Sequence, residues 1–258
     1  MLLQTKQLCK NFGGLKAVCN IDFAIGAGEV VAIIGPNGSG KTTFFNVISG
    51  ILPATSGKIF FKGQDVTKQK AYDMAAIGLS RTFQNIRLFP ELSVRDNLIV
   101  GRYSKTSSGA LDGIFHSKRL RLEEEKNEKI VQEILEFTGL GPWQHTAATH
   151  LPYGAQRRLE IGRALAAEPS LLLLDEPAAG MNPKEVDELL ALIRGLKQKG
   201  LTILLIEHQM RLVMGIAERI VVFDHGEKIA EGNPAVVRCD PKVIEAYIGA
   251  EVNECAEN

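Results

Sequence analysis

The chain has 258 residues, and its 30 lysines and arginines balance 30 aspartates and glutamates, so the formal net charge is zero. This balance argues against nucleic-acid binding, which usually brings a basic bias, and against attraction to acidic lipid by bulk charge. Apolar residues make up 45% and charged residues 23%, as in ordinary globular proteins, and the length allows one large domain or two small ones.

The sequence predicts neither a membrane span nor a secretion signal. The longest unbroken apolar runs, Val30–Ile34 and Leu189–Ile193, have five residues each, whereas a spanning helix needs about 20. Met1–Lys6 has no basic region followed by a long apolar stretch. We expect reduced thiols in a cytosolic protein, because no metal-ligand spacing relates the four cysteines, Cys9, Cys19, Cys239 and Cys255.

The N-terminal third is predicted to contain strands and tight turns. Leu2–Leu8 and Ile21–Ile25 alternate apolar and polar residues, which is typical of half-buried strands. Glu29–Ile34 is rich in β-branched residues and bounded by glycine, which indicates a buried strand. A helix is predicted to begin in Thr42–Ile48, and Lys58–Phe61 is predicted to be a further strand.

The middle third of the chain is predicted to be helical, and the final third is predicted to alternate strands and helices. From Leu98 to about Gly139 the pattern is helical and strongly charged, which predicts solvated helix faces, and Ser104–Gly109 is predicted to be a loop. The final third alternates strands and helices, which predicts an α/β fold with a largely parallel sheet. Its predicted elements are Leu171–Leu174, Lys184–Lys199, Leu201–Ile206 and Ile220–Phe223.

The clearest chemical motif is Gly35–Thr43, which fits G-x-x-x-x-G-K-[ST] directly after the predicted strand Val30–Ile34 and before a predicted helix. Such a loop wraps phosphate oxygens with backbone N–H groups, and the helix N-terminus adds a partial positive charge. Lys41 would reach the terminal phosphates, and the Thr42 hydroxyl would bind Mg²⁺. The alternative is a chance glycine-rich turn, which the strand and helix context disfavours.

A second motif is the leucine run Leu171–Leu174 followed by Asp175 and Glu176. The simple alternative is a helix cap just past a strand. Beside a phosphate-binding loop, we expect Asp175 to hold the Mg²⁺ shell and Glu176 to act as general base on the attacking water.

In this order, the motifs resemble the ATPase subunit of ABC transporters over nearly the whole chain. The resemblance implies that Gln84, in Arg81–Asn85, touches Mg²⁺ or the water and reports nucleotide state to a membrane partner. It implies that His208 contacts the γ-phosphate, that Phe12 stacks on adenine beside Val18, and that Ala179–Asn182 crosses a dimer interface.

The implied site residues fall into three overlapping groups. The catalytic residues are Glu176, His208, Gln84 and Lys41, and the Mg²⁺ ligands are Thr42, Gln84 and Asp175. The ATP-binding residues are Phe12, Val18, Gly35, Pro36, Asn37, Gly38, Ser39, Gly40, Lys41, Thr42, Thr43, Leu151, Tyr153, Gly154 and Gln156.

The signature motif departs from the family pattern Leu-Ser-Gly-Gly-Gln. Here Pro152 stands at the serine position and Ala155 at the glutamine position. Proline has neither an N–H nor a hydroxyl, although it suits the first turn of a helix. Gly154 keeps its N–H, and a helix predicted over Arg157–Ala167 would aim its positive end at the partner's ATP, so we expect a weakened contact. In a heterodimer, the ATP site that uses Pro152 would be the slower one.

Further segments resemble the ATPases of branched-chain amino acid uptake systems. The resemblance does not identify the solute, since membrane proteins and a solute-binding protein select it; transport of urea, an amide or a lipid stays an alternative. The segments are Asn11–Val18, Arg81–Phe89, Tyr153–Glu160, Pro177–Pro183, Asn233–Gly249 and the charged stretch Lys105–Lys129.

The resemblance implies an α/β fold with a RecA-like P-loop NTPase core, an antiparallel β subdomain and an inserted α-helical subdomain. The core and β subdomain would span about residues 1–84 and 167–240, the helical subdomain about 85–166, and a tail 241–258. The implied partners are a second ATPase subunit, identical or different, and integral membrane permeases, one of which would insert a helix at Asn85–Pro90. Protein contacts would hold the chain at the cytoplasmic face of the plasma (inner) membrane.

Two other functions compete with transport. Soluble ABC ATPases of DNA repair or translation usually carry long coiled-coil inserts or two cassettes, whereas this chain has one phosphate-binding loop. A nucleotide-binding module without hydrolysis would not need Glu176 and His208.

Overall fold

The computed structural model describes residues 1–105 and 118–247, and those ranges contain ten strands and nine α-helical segments. The strands are β1 (Leu3–Phe12), β2 (Leu15–Ile25), β3 (Val30–Ile34), β4 (Ser56–Phe61), β5 (Gln64–Asp65), β6 (Leu79–Arg81), β7 (Leu171–Asp175), β8 (Thr202–Ile206), β9 (Arg219–Asp224) and β10 (Glu227–Gly232).

The α-helices are α1 (Lys41–Ile48), α2 (Ala71–Ala76), α3 (Val94–Arg102), α4 (Lys118–Phe137), α5 (Tyr153–Ala166), α6 (Pro183–Gln198), α7 (Met210–Ile216) and α8 (Pro234–Arg238). Short 3₁₀ helices cover Tyr103–Lys105, Gly141–Trp143 and Ala148–His150, and residues 241–247 are also helical. In the part of the chain that the structure describes, no helix is long and apolar enough to cross a membrane.

The central sheet has six strands in the order β10-β9-β3-β8-β7-β6. All neighbours pair in parallel except β9 and β10, which form an antiparallel hairpin, so the predicted largely parallel sheet is confirmed. Every residue of β3, β7 and β8 is buried. Parallel strands that are covered on both faces have apolar residues at every position, and these unbroken apolar runs made the strands recognisable in the sequence.

The two faces of the central sheet pack against different elements. On one face lie α1 and a four-stranded antiparallel sheet in the order β2-β1-β4-β5. The Phe44 ring of α1 joins the layers edge-on, with its centroid 5.7 Å from that of Phe23 and 5.3 Å from that of Phe223. The other face packs against α6 and α7. These layers are those of the predicted RecA-like fold with an antiparallel β part.

A separate apolar cluster joins α3, α4 and α5, with Val94, Leu98, Val131, Leu135 and Leu159 at its centre. These helices lie where the helical subdomain is expected, whereas the exact subdomain bounds stay a prediction. Several sequence predictions fall partly or wholly outside the described residues: the loop Ser104–Gly109, the stretch Lys105–Lys129, the tail after Tyr247 and Cys255.

One helix boundary differs from the prediction. The helix expected over Arg157–Ala167 is α5, which begins at Tyr153 with Pro152 as its N-cap. Pro152 has φ −56° and ψ 151°, and its carbonyl accepts the first helical hydrogen bond from the Gln156 N–H at 3.0 Å. A proline fits this place because the first helical N–H groups have no partner inside the helix.

Candidate active site

The parallel strands end together and bring three motifs to one edge of the central sheet. Gly35 directly follows β3, Asp175 ends β7, and Glu207 and His208 directly follow β8. Parallel strands place their carboxyl ends at the same edge, where α/β proteins bind ligands. The topology therefore assembles residues that lie far apart in the sequence.

The phosphate-binding loop needs glycine at two places. Gly35 has φ +150°, and a Cβ there would lie 2.0 Å from the Phe223 carbonyl oxygen. Gly40 has φ +98° and is the N-cap of α1, and a Cβ there would lie 2.3 Å from the Ala17 carbonyl oxygen. Neither contact leaves room for any other residue.

Lys41 lies folded against its own loop. Its Nζ donates to the carbonyls of Gly35 at 2.8 Å and Pro36 at 2.7 Å and lies 3.3 Å from the Ser39 Oγ. Burial lowers the pKa of Lys41 to about 8, although the negative charges of Glu176 and Asp175 oppose the shift. The ammonium group thus depends on the loop's own oxygens, which phosphate oxygens can replace.

Glu176 contacts two other predicted catalytic side chains. Its Oε2 accepts from the Gln84 Nε2 at 2.9 Å, and its Oε1 lies 3.0 Å from the His208 Nε2. Its backbone has φ +47°, the left-handed region that side chains other than glycine rarely adopt. Residues held in such conformations cluster at functional sites, because the surrounding structure must compensate for the strain.

Asp175 lies deeper than Glu176, with only 4% of its side chain exposed, and pairs with Arg81 through Nη2 and Oδ2 at 2.8 Å. Burial raises the pKa of Asp175, and the Arg81 guanidinium pulls it back. Arg81 also donates to the Asn46 Oδ1 at 2.8 Å and the Ser49 Oγ at 3.0 Å. This role is not predictable from the sequence, since one arginine at the end of a three-residue strand carries no distinguishing pattern.

The donor set fits Mg²⁺ that arrives with phosphate. Thr42 and Gln84 line the same cleft as Glu176, and Asp175 is the adjacent carboxylate in the chain. These side chains offer the hard oxygen donors that Mg²⁺ prefers. Within residues 1–105 and 118–247, no group of three or more His, Cys, Asp or Glu side chains could hold a metal ion alone.

The cleft over the loop has a volume of about 530 Å³. Phe12 lines its outer wall, is 45% exposed, and holds Lys10 Nζ 5.1 Å from its ring centroid. Val18 differs from the expectation: it is fully buried in the core between the sheets and lines no part of the cleft. Its position on β2 turns its side chain inward, so it offers no surface to a nucleotide base.

The four predicted signature residues, Leu151, Tyr153, Gly154 and Gln156, lie at or just before the start of α5 and do not line the cleft. The Tyr153 hydroxyl donates to the Ala179 carbonyl at 2.8 Å, and the Gly154 N–H donates to the Glu185 Oε1 at 3.1 Å. The side chain of Gln156 donates to the Leu151 carbonyl at 2.9 Å.

The family models and the relatives that match this chain agree on one family. The family model described as "ABC transporter" matches residues 18–179, and the model "Branched-chain amino acid ATP-binding cassette transporter" matches residues 227–253. The high-affinity branched-chain amino acid transport ATP-binding protein BraF of Pseudomonas aeruginosa is 41% identical over 96% of this chain and 98% of its own. The high-affinity branched-chain amino acid transport ATP-binding protein LivG of Escherichia coli (strain K12) is 42% identical over 96% of this chain and 98% of its own.

Solved structures agree with the sequence relatives. A nucleotide-free ATP-binding cassette from an ABC transporter superimposes with a TM-score of 0.83 at 35% identity, covering 95% of this chain and 98% of that chain. A dimeric ATP-binding cassette in a post-hydrolysis state, bound to ADP and Pi, has a TM-score of 0.75 at 25% identity, covering 90% and 98%.

Proposed function

This chain belongs to the ABC transporter family, and from that premise we propose that it is the ATP-binding and hydrolysing subunit of an importer for branched-chain amino acids. The observation that carries the proposal is Glu176, held between Gln84 and His208 at one end of the cleft that Lys41 and the phosphate-binding loop also line. The names of the relatives and the second family match support the solute class.

The proposed chemistry divides phosphate binding, proton transfer and metal binding among these side chains. The loop 35–43 holds the phosphates through its N–H groups and Lys41, while Phe12 stacks on the base. Glu176 accepts the proton of the attacking water, and Gln84 and His208 orient its carboxylate and the γ-phosphate. Thr42, Gln84 and Asp175 would hold Mg²⁺, which neutralises charge on the phosphate oxygens.

The proposed partners follow from the same arrangement. The signature residues at the start of α5 lie outside the cleft of their own chain. A second ATPase subunit would bring its own signature residues to this cleft, and the signature residues of this chain would serve the ATP site of that subunit. Membrane permeases would bind near Asn85–Pro90, where Phe89 is 44% exposed. The chain would then sit at the cytoplasmic face of the inner membrane through protein contacts alone.

Reconstitution tests this function. The chain is assembled with its membrane subunits and partner ATPase in vesicles, the solute-binding protein is added, and uptake of labelled leucine is measured with and without ATP. We expect ATP-dependent uptake, and we expect Glu176→Gln to lower phosphate release at least 100-fold while ATP binding persists. Uptake of urea, a short amide or a lipid instead of leucine would support the alternative solutes. ATP hydrolysis that survives in Glu176→Gln would remove Glu176 as the base.

A further inference from the structure

The C-terminal stretch Asn233–Gly249 resembles the branched-chain group in sequence, yet the proposed chemistry uses none of its side chains. Residues 241–247 of this stretch are helical, and Val243 and Tyr247 pack into the apolar cluster on one face of the central sheet. The same cluster contains Ile34, the last residue of β3. A phenylalanine ring would serve this packing equally well, so the hydroxyl group of Tyr247 needs a separate explanation.

The helical segment 241–247 flanks the start of the phosphate-binding loop. On one side, Ala246 lines a cavity together with loop residues 36–39. On the other side, Tyr247 lines an apolar groove together with Ile34, which directly precedes Gly35. Because β3 is held in the sheet between β8 and β9, the chain can change direction only after Ile34. Tyr247 therefore lies beside the joint between a fixed strand and the loop.

The Tyr247 hydroxyl is covered from solvent and forms no well-aligned hydrogen bond within residues 1–105 and 118–247. Burial raises the pKa of Tyr247, and the backbone of Gly35 lies close enough to oppose the rise. A covered hydroxyl without a partner is costly, and most such groups in folded proteins find one. The unused hydrogen-bonding capacity of Tyr247 thus lies next to the first residue of the loop.

The Gly35 carbonyl accepts from the Lys41 Nζ at 2.8 Å. When Lys41 turns to bound phosphate, as the proposed chemistry requires, this carbonyl loses that donor. A buried carbonyl without a partner costs about as much as a lost hydrogen bond. The Tyr247 hydroxyl is a donor without an acceptor, so each of the two groups can satisfy the other.

We propose that Tyr247 is a positioning residue whose hydroxyl donates to the Gly35 carbonyl when Lys41 leaves that carbonyl for phosphate. The exchange keeps the joint of the loop hydrogen-bonded while Lys41 is released. Tyr247 thereby favours the phosphate-bound arrangement of the loop without touching the nucleotide. The inference rests on the proposed binding of ATP by residues 35–43, and it assigns a role to the C-terminal stretch.

The test removes the hydroxyl and compares the loss with a matched control. Tyr247→Phe keeps the ring in the apolar groove, and Tyr72→Phe makes the same change on α2, where Tyr72 is 69% exposed. Each change is made in the full chain with Lys41 and in the full chain carrying Lys41→Met, which deprives the Gly35 carbonyl of its ammonium donor. Equilibrium binding gives the affinity for ATP, and thermal unfolding without nucleotide gives the stability.

With Lys41 present, Tyr247→Phe should weaken ATP binding about three- to tenfold, the range expected for one lost hydrogen bond. The melting temperature without nucleotide should not fall below that of Tyr72→Phe, since the hydroxyl has no partner to lose. With Lys41→Met, Tyr247→Phe should lower the melting temperature by about 2–4 °C, because the hydroxyl then serves the Gly35 carbonyl even without ATP. Tyr72→Phe should change neither the affinity nor the melting temperature.

Equal ATP affinity in Tyr247→Phe and Tyr72→Phe would overturn the inference. So would a fall in melting temperature that Tyr247→Phe causes equally with Lys41 and with Lys41→Met, because the hydroxyl would then be a structural contact alone. Failure of the proposed function looks different, because the wild-type chain would then bind no ATP. The melting comparison in Lys41→Met needs no nucleotide, so an unchanged melting temperature there would still reject the role of Tyr247 on its own.

Discussion

The Gly154 N–H donates to the Glu185 Oε1 across 3.1 Å, so the start of α5 is tied to the first turn of α6. The same carboxylate accepts from the Asn182 N–H through Oε2 at 3.0 Å and completes the capping box of α6. A Cβ on residue 154 would lie 2.7 Å from that Oε1, so the Glu185 side chain would have to move to admit any other residue. The N–H expected to bind a partner's γ-phosphate is thus held by a carboxylate of its own chain.

Glu185→Gln should favour ATP-driven dimerisation. Glutamine keeps one acceptor oxygen, which can hold the Asn182 N–H of the capping box, so α6 should stay intact. Its NH2 group cannot accept from the Gly154 N–H, and the negative charge that opposes phosphate binding there is removed. We expect the ATP concentration for half-maximal dimer formation to fall severalfold in a Glu176→Gln background, measured by light scattering. An unchanged or higher midpoint would mean that the contact does not compete with nucleotide.

Pro152→Ser should speed turnover of the assembled dimer severalfold. Serine at this N-cap restores a hydroxyl that can accept from the early N–H groups of α5 and approach the partner's phosphate. Pro152→Ala is the matched control, because it removes the ring without adding a hydroxyl. Phosphate release by the heterodimer decides between them: equal rates for the serine and alanine variants would refute a phosphate contact at this position.

Phe12→Ala should weaken ATP binding by about three- to tenfold, the range expected for losing one aromatic stacking partner. Phe12→Tyr should bind as the wild type does, since the ring remains. Leu15, which is 67% exposed and lines the same cleft, provides the control Leu15→Ala. Equilibrium binding of a fluorescent ATP analogue measures all three, and equal losses in the two alanine variants would contradict stacking at Phe12.

The bond between Arg102 and Glu168 should give the protein an acid-sensitive contribution to stability. Arg102 is 2% exposed and donates to Glu168 at 2.6 Å, and this bond lowers the pKa of Glu168 below its usual 4.5. A carboxyl whose pKa is lowered by folding stabilises the protein above the unfolded-state pKa, and this stabilisation fades as the pH falls through the folded-state value.

Glu168→Gln should therefore lower the melting temperature at pH 7, and the difference from the wild type should shrink as the pH falls below about 4. Thermal unfolding followed by circular dichroism across this range gives the comparison, with Glu133→Gln on the exposed side of α4 as the control for losing one carboxylate. A difference that stays constant with pH would show that Glu168 stabilises the chain by packing alone.

The sequence by itself determined the features whose signals lie in consecutive residues. The loop 35–43 is recognisable because its glycines, Lys41 and Thr42 follow each other at fixed spacing between a buried strand and a helix. The leucine run before Asp175 and the apolar runs of β3 and β8 similarly predicted a parallel sheet, since strands buried on both faces must be apolar throughout.

Only the tertiary structure decided which side chains meet. Arg81 and Asp175 are 94 residues apart, the Phe83 N–H and Glu160 are 77 apart, and Gly154 and Glu185 are 31 apart. The tertiary structure also places the Val18 side chain in the core, away from the cleft. Such contacts leave no local pattern, because they depend on the order in which parallel strands are placed in the sheet and on how helices cover its edge.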